Sequence, residues 1–159
     1  MHLLAVCLGN ICRSPLAEGL LRREIERRGL NWTVDSAGTA GYHVGNPLDP
    51  RSVAEAARHG LDISGQRSRK VTVEDLAEYD VILAMDRSNF RDLQLLASTP
   101  RERARIQLLL RFTDLEDAEG PDVFDPYWDD GGFAGVYELL EVAAARAIDR
   151  LERSVEGNA

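Results

Sequence analysis

Short continuous apolar runs along this chain alternate with segments whose apolar residues recur with a period of about 3.6, and the switches mark its elements. His2-Leu3-Leu4-Ala5-Val6 is a short apolar run that predicts a first strand. A helix follows, with Pro15 in its first turn and Leu16, Leu20, Leu21 and Ile25 on one face. It runs to about Arg28, and Gly29 ends it. Trp32-Thr33-Val34 predicts a second strand. A turn-rich stretch (Gly38, Gly41, Gly45, Pro47, Pro50) then leads into a helix of about 51–59 closed by Gly60. Thr72 reads as the N-cap of a short helix with Glu74 and Asp75 in its first turn. Asp80-Val81-Ile82-Leu83-Ala84-Met85 is the clearest buried strand, and Asp86 caps a helix carrying Phe90, Leu93 and Leu96. Ile106 to Leu110 predicts a fourth strand, and an acidic loop covers about 113–132. A last helix bears Val136, Leu139, Leu140, Ala143, Ala147 and Leu151 at helical spacing.

Strands that alternate with helices and are apolar on both faces predict an α/β fold with a parallel sheet covered on two sides. No repeat, low-complexity segment or linker divides the 159 residues, so 1–159 reads as a single domain. Ligands on such sheets bind at the carboxyl ends of the strands. The loop that starts at Cys7 leaves from such an end, as do Ser36 after the second strand and Asp86 after the third.

Composition narrows the function classes. The chain is 44% apolar, and no apolar run approaches the ~20 residues that span a bilayer. A net charge of −8 argues against nucleic acid and anionic membranes as partners. Two cysteines five positions apart do not make a secreted disulfide framework, and the first residues lack a basic leader. The expected compartment is the cytoplasm, where thiols are catalytic or redox-active.

The chemistry lies in Cys7-Leu8-Gly9-Asn10-Ile11-Cys12-Arg13-Ser14, between the first strand and the helix of Pro15. A strand feeding a tight loop that opens a helix gathers backbone N–H donors around one point, and the helix dipole adds positive charge there. Free thiols, with a pKa of about 8.5, are only a few per cent ionised at neutral pH. Such surroundings bring thiols into the range of about 3.5–7.5. Gly9 allows close backbone approach, Asn10 tolerates left-handed geometry, and Ser14 offers the sulfur a hydroxyl. Arg13 supplies a planar fork for two phosphoryl oxygens. A leaving alkoxide or phenoxide also needs a proton donor, and Asp125 in Phe124-Asp125-Pro126-Tyr127-Trp128 is the candidate. Its neighbours Glu119, Asp122, Asp129 and Asp130 read as a solvated acidic face, and His43 and His59 as surface or packing residues.

The nonapeptide from Cys7 to Pro15, with Asp125-Pro126-Tyr127, resembles the low molecular weight protein tyrosine phosphatase family. Matching segments include Asp35-Ser36, Asp49-Pro50-Arg51 and Met85-Asp86-Arg87-Ser88-Asn89. The resemblance implies a four-stranded parallel sheet with helices on both faces and a phosphate-binding loop (Leu8, Gly9, Asn10, Ile11, Cys12, Arg13, Ser14) after the first strand. It implies hydrolysis of aryl phosphomonoesters without metal or cofactor: Cys7 as nucleophile, Arg13 as transition-state clamp, Asp125 as general acid and then as base toward water. Ile11, Tyr42 and Tyr127 are implied as pocket walls that favour a flat aryl ester, and Asn10, Ser14, Ser36 and Asp86 as loop supports. Cys12 is implied as the redox partner of Cys7. The implied partners are a tyrosine-phosphorylated protein or a small aryl phosphate, with inorganic phosphate as product and a monomer or weak dimer as the working form. Gln66 departs from the family pattern, in which a histidine near that position supports the loop asparagine.

Four other readings are weaker. Phosphoarginine phosphatases resemble this family but carry a smaller polar residue at the Ile11 position. Arsenate reductases of this fold use cysteines beyond the two found here. A binding-only phosphate module needs neither thiol nor acid. A calcium loop on Asp125, Asp129 and Asp130 fails at Tyr127 and lacks the required glycine.

Overall fold

The computed structural model describes residues 1–158, and its first element settles the polarity of everything else. Strand β1 (His2–Cys7) sends alternate side chains to opposite faces. Leu3, Ala5 and Cys7 pack with α1 (Arg13–Arg27), while Leu4 and Val6 join a separate cluster on the other face. Strand β2 (Thr33–Gly38) pairs with one edge of β1 in parallel, with Cys7 opposite Gly38. The chain then makes α2 (Pro50–Arg58), α3 (Val73–Glu78) and β3 (Val81–Ala84), which pairs with the other edge of β1. After α4 (Arg87–Leu96) and α5 (Pro100–Ala104), β4 (Ile106–Leu108) completes a four-stranded, all-parallel sheet of order β2-β1-β3-β4. Two short helices, α6 (Leu109–Phe112) and α7 (Glu116–Glu119), precede α8 (Phe133–Gly157).

Helices cover both faces as expected. Leu16, Leu20, Leu21 and Ile25 of α1 meet Val136, Leu140, Ala143 and Ala147 of α8 on one side, and Leu76 of α3 and Leu93 of α4 close the other. The chain reverses its winding around β1, so the carboxyl end of that strand lies at the switch point where doubly wound sheets bind ligands.

Several boundaries differ from expectation. β2 begins at Thr33, one residue after Trp32, and runs on through Ser36 to Gly38, so Ser36 lies within the strand. The apolar run 106–110 is strand only to Leu108; Leu109 and Leu110 open α6, and both are buried. The stretch 113–132 holds α7 and two 3-10 turns, at Pro126–Trp128 and Asp130–Gly132. Helix α5 escapes periodicity because it has no buried face, although Thr99 and Glu102 form a capping box around it. No helix among the described residues is long and apolar enough to cross a membrane.

Candidate active site

The loop from Cys7 to Arg13 is held by its carbonyls. Thr39 and Ala40 N–H groups donate to the Cys7 and Leu8 carbonyls, both at 2.9 Å. Ser68 Oγ donates to the Gly9 carbonyl at 2.9 Å, Asp49 N–H to that of Ile11 at 3.1 Å, and Ser52 Oγ to that of Cys12 at 3.3 Å. Because peptide N–H and C=O groups point in opposite directions, carbonyls tied outward turn the N–H groups inward. The N-terminus of the 15-residue α1 faces the same point. Asn10 bends the loop in the left-handed region, at φ 56°, as its residue type allows. Its N–H donates to Cys7 Sγ at 3.3 Å.

Gly38 shows how closely the loop lies on the end of β2. A Cβ there would stand 2.6 Å from the Leu8 carbonyl oxygen, a backbone atom with no room to yield. Gly38→Ala is expected to lower unfolding stability by about 1–3 kcal/mol. It should also weaken inhibition by inorganic phosphate. Urea denaturation and a phosphate inhibition constant measure the two, and an unchanged pair would mean that the loop can shift freely.

A chain of polar groups runs inward from the sulfur. Ser14 Oγ lies 3.0 Å from Cys7 Sγ and accepts from Asn10 Nδ2 at 2.8 Å. Asn10 Nδ2 also donates to Ser36 Oγ at 2.9 Å, and Ser36 donates to Glu18 Oε1 at 2.9 Å. The Arg69 N–H donates to Asn10 Oδ1 at 3.0 Å, which fixes the orientation of the amide. With both Asn10 Nδ2 protons spent on the serines, the Ser14 hydroxyl proton has two acceptors in reach, the Cys7 sulfur at 3.0 Å and the Ala37 carbonyl at 3.5 Å. Glu18 was not foreseen. It is 4% exposed, and burial pushes its carboxyl up while Ser36 and Arg22 pull it down. Its signal was a carboxylate four residues after Ser14, on the helix face that carries Leu21 and Ile25.

Arg13 is 3% exposed and lies between two acids. Its Nη1 donates to Asp86 Oδ2 at 2.7 Å and to the Val123 carbonyl at 3.0 Å, and Nη2 reaches Asp125 Oδ2 at 3.5 Å. Burial opposes the guanidinium charge, but Cys7, Asp86 and Asp125 outweigh it and hold the proton on. Asp86 also caps α4 through Asn89 N–H at 2.7 Å, so one carboxylate fastens the Arg13 guanidinium to the end of β3. Asp125 Oδ1 accepts from Tyr127 N–H at 3.1 Å. Cys12 is buried, and its Sγ donates to Asp49 at 3.7 Å. Burial first, then the negative charges of Asp49 and Cys7, drive its thiol far above the ordinary range.

Cys7, Cys12, Arg13 and Asp125 line one cavity of about 320 Å³ with Leu8, Gly9, Ile11, Tyr42, Tyr127 and Trp128. His43 packs as expected, and the place where it packs is the cavity lining. Its ring lies 6.5 Å from Tyr42 and 6.4 Å from Tyr127, between the two expected walls, and its edge packs on Gly9. His59 does pack, stacked on Tyr137 at 4.0 Å. Gln66 donates to the Pro15 carbonyl at 3.1 Å, while the Asn10 amide oxygen is taken by Arg69. Of the acids expected as a solvated face, Asp122 pairs with Arg87 at 3.0 Å and Asp130 with Arg51.

Comparison with known proteins identifies the family. The family model described as low molecular weight phosphotyrosine protein phosphatase matches residues 2–157. The human low molecular weight phosphotyrosine protein phosphatase is 42% identical over 139 residues, 85% of each chain. A protein tyrosine phosphatase from Entamoeba histolytica superposes with a TM-score of 0.90 at 34% identity, over 97% of this chain and 98% of that one. The Drosophila arginine phosphatase superposes with a TM-score of 0.87 at 33% identity, over 95% and 98%. With a family match over nearly its whole length and a sheet that delivers the cysteine loop to its switch point, the chain belongs to the low molecular weight phosphotyrosine protein phosphatase family.

Proposed function

We propose that residues 1–159 form one catalytic unit that hydrolyses phosphotyrosine through a phosphocysteine, with Cys7, Arg13 and Asp125 as its working groups. The observation that carries this reading is their meeting in one cavity, with the Arg13 guanidinium donating to Asp125 while the Cys7 sulfur faces the loop's N–H groups. Cys7 Sγ attacks phosphorus, the S–P bond forms, and the P–O ester bond breaks. Asp125 gives its proton to the leaving phenol oxygen. Water then attacks the phosphocysteine, Asp125 takes its proton, and the S–P bond breaks to release inorganic phosphate and the thiolate. Arg13 and the loop N–H groups carry the charge spread over the equatorial oxygens in both steps. Ile11, Tyr42 and Tyr127 form walls suited to a flat ring, so a tyrosine-phosphorylated protein or a small aryl phosphate is the substrate class. Cys12, the second free and buried cysteine of the same loop, serves as the redox partner of Cys7.

Two measurements test this. Phosphotyrosine peptides should exceed phosphoarginine peptides in kcat/KM by on the order of tenfold or more. The reverse order would assign the chain to phosphoarginine. Asp125→Asn should lower kcat/KM by about 10²–10³-fold for phosphotyrosine and less than about tenfold for nitrophenyl phosphate, whose leaving group needs little proton help. Equal losses would remove Asp125 as the proton donor.

A further inference from the structure

We infer that Arg51 is the positioning residue that holds the Asp125 segment against the cysteine loop, so that protonation of the leaving group depends on it. This rests on the reading of Asp125 as the proton donor. Asp125 introduces a segment whose regular structure is two three-residue turns, and such a segment does not place a carboxyl by itself. Arg13 grips one end of it through the Val123 carbonyl at 3.0 Å. The other grip is Arg51, at the start of α2. Its Nη2 donates to the Tyr127 carbonyl at 2.9 Å and to Asp49 Oδ2 at 2.7 Å, its Nε donates to Asp49 Oδ1 at 3.0 Å, and Nη1 reaches Asp130. The guanidinium also lies over the Phe133 ring at 4.6 Å.

Asp49 is fastened to the cysteine loop in turn. Its N–H donates to the Ile11 carbonyl at 3.1 Å, and its buried carboxylate accepts from Cys12 Sγ at 3.7 Å. One planar fork thus spans from the cysteine loop to the peptide two residues past Asp125, a reach that a single ammonium cannot reproduce. The Asp130 contact is exposed and adds little, so the Tyr127 carbonyl and the buried Asp49 carry the grip. Arg51 stands outside the cavity lining, so it acts through Asp125 rather than on the phosphate.

The test is Arg51→Lys and Arg51→Met, each alone and combined with Asp125→Asn. Alone, each should lower kcat/KM about tenfold for phosphotyrosine and less than about twofold for nitrophenyl phosphate. Alkylation of Cys7 by iodoacetate and inhibition by inorganic phosphate should stay within about twofold, and in the Asp125→Asn background neither substitution should cost more. Arg51→Met strips Asp49 of its cation; if that variant does not fold, Arg51→Lys, which keeps the charge, carries the test. Equal losses with both substrates, or a tenfold loss that persists beside Asp125→Asn, would overturn the inference. If Asp125→Asn is selective for the leaving group and Arg51→Lys is not, the positioning role fails alone. If Asp125→Asn is itself unselective, the proton-donor reading fails and takes this one with it.

Discussion

Cys7→Ser is expected to abolish turnover, by at least about 10⁴-fold, while leaving phosphate binding intact. A serine hydroxyl fits the same space and keeps hydrogen-bonding distance to Ser14 Oγ and the Asn10 N–H, so the loop has no reason to rearrange. What it lacks is the sulfur nucleophile, and no base stands beside it: Asp125 is held toward Arg13 and Tyr127 N–H. Cys12 offers no substitute, because burial and the Asp49 carboxylate keep its thiol protonated. Inorganic phosphate should bind the variant at least as tightly as it binds the parent, since Arg13 and the loop N–H groups that face it are unchanged. Steady-state hydrolysis and phosphate titration, both with EDTA present, read the two quantities. Robust turnover by the variant would end the covalent mechanism, and a parent enzyme silenced by EDTA would move the chemistry to a metal.

The contrast between what was legible and what was not follows from chain distance. Cys7, Asn10, Arg13 and Ser14 lie within eight residues, and a strand-loop-helix context dictates which way they face. Their contacts could be expected before any coordinates, and the left-handed Asn10 and the Ser14–Cys7 contact occur as read. Arg51 and Glu18 matter through partners far off in sequence: Tyr127 is 76 residues from Arg51, and Ser36 is 18 from Glu18. No spacing rule reaches so far. His43 packs as expected, but that it packs at the cavity rim was not legible, since Gly9 and Tyr127 reach it from far along the chain.

The fold divides along a similar line. β1, α1 and α8 were legible because burial on one stripe or both faces is written into their apolar spacing. Ile106 to Leu110 is apolar at every position but Gln107, and such a run does not say where a strand gives way to a helix. α5 has the opposite problem, with a clear cap and no apolar face.

Arg13→Lys is the second large effect, a loss of about 10³-fold in kcat/KM, or roughly 4 kcal/mol. Lysine keeps a positive charge beside Asp86 and so spares the fold the cost of a partly buried carboxylate left without its cation, which Arg13→Ala would risk. A single ammonium cannot hold Asp86 and the Val123 carbonyl with one nitrogen while presenting a second toward Asp125 and the phosphoryl group. The pattern of the loss is as informative as its size. The clamp acts on the equatorial oxygens, which every substrate shares, so phosphotyrosine and nitrophenyl phosphate should suffer alike and phosphate inhibition should weaken in parallel. Asp125→Asn, by contrast, should discriminate between leaving groups. A lysine variant that retains more than about a tenth of the parent rate, or that fails only with poor leaving groups, would mean that Arg13 serves the acid loop rather than the phosphoryl group.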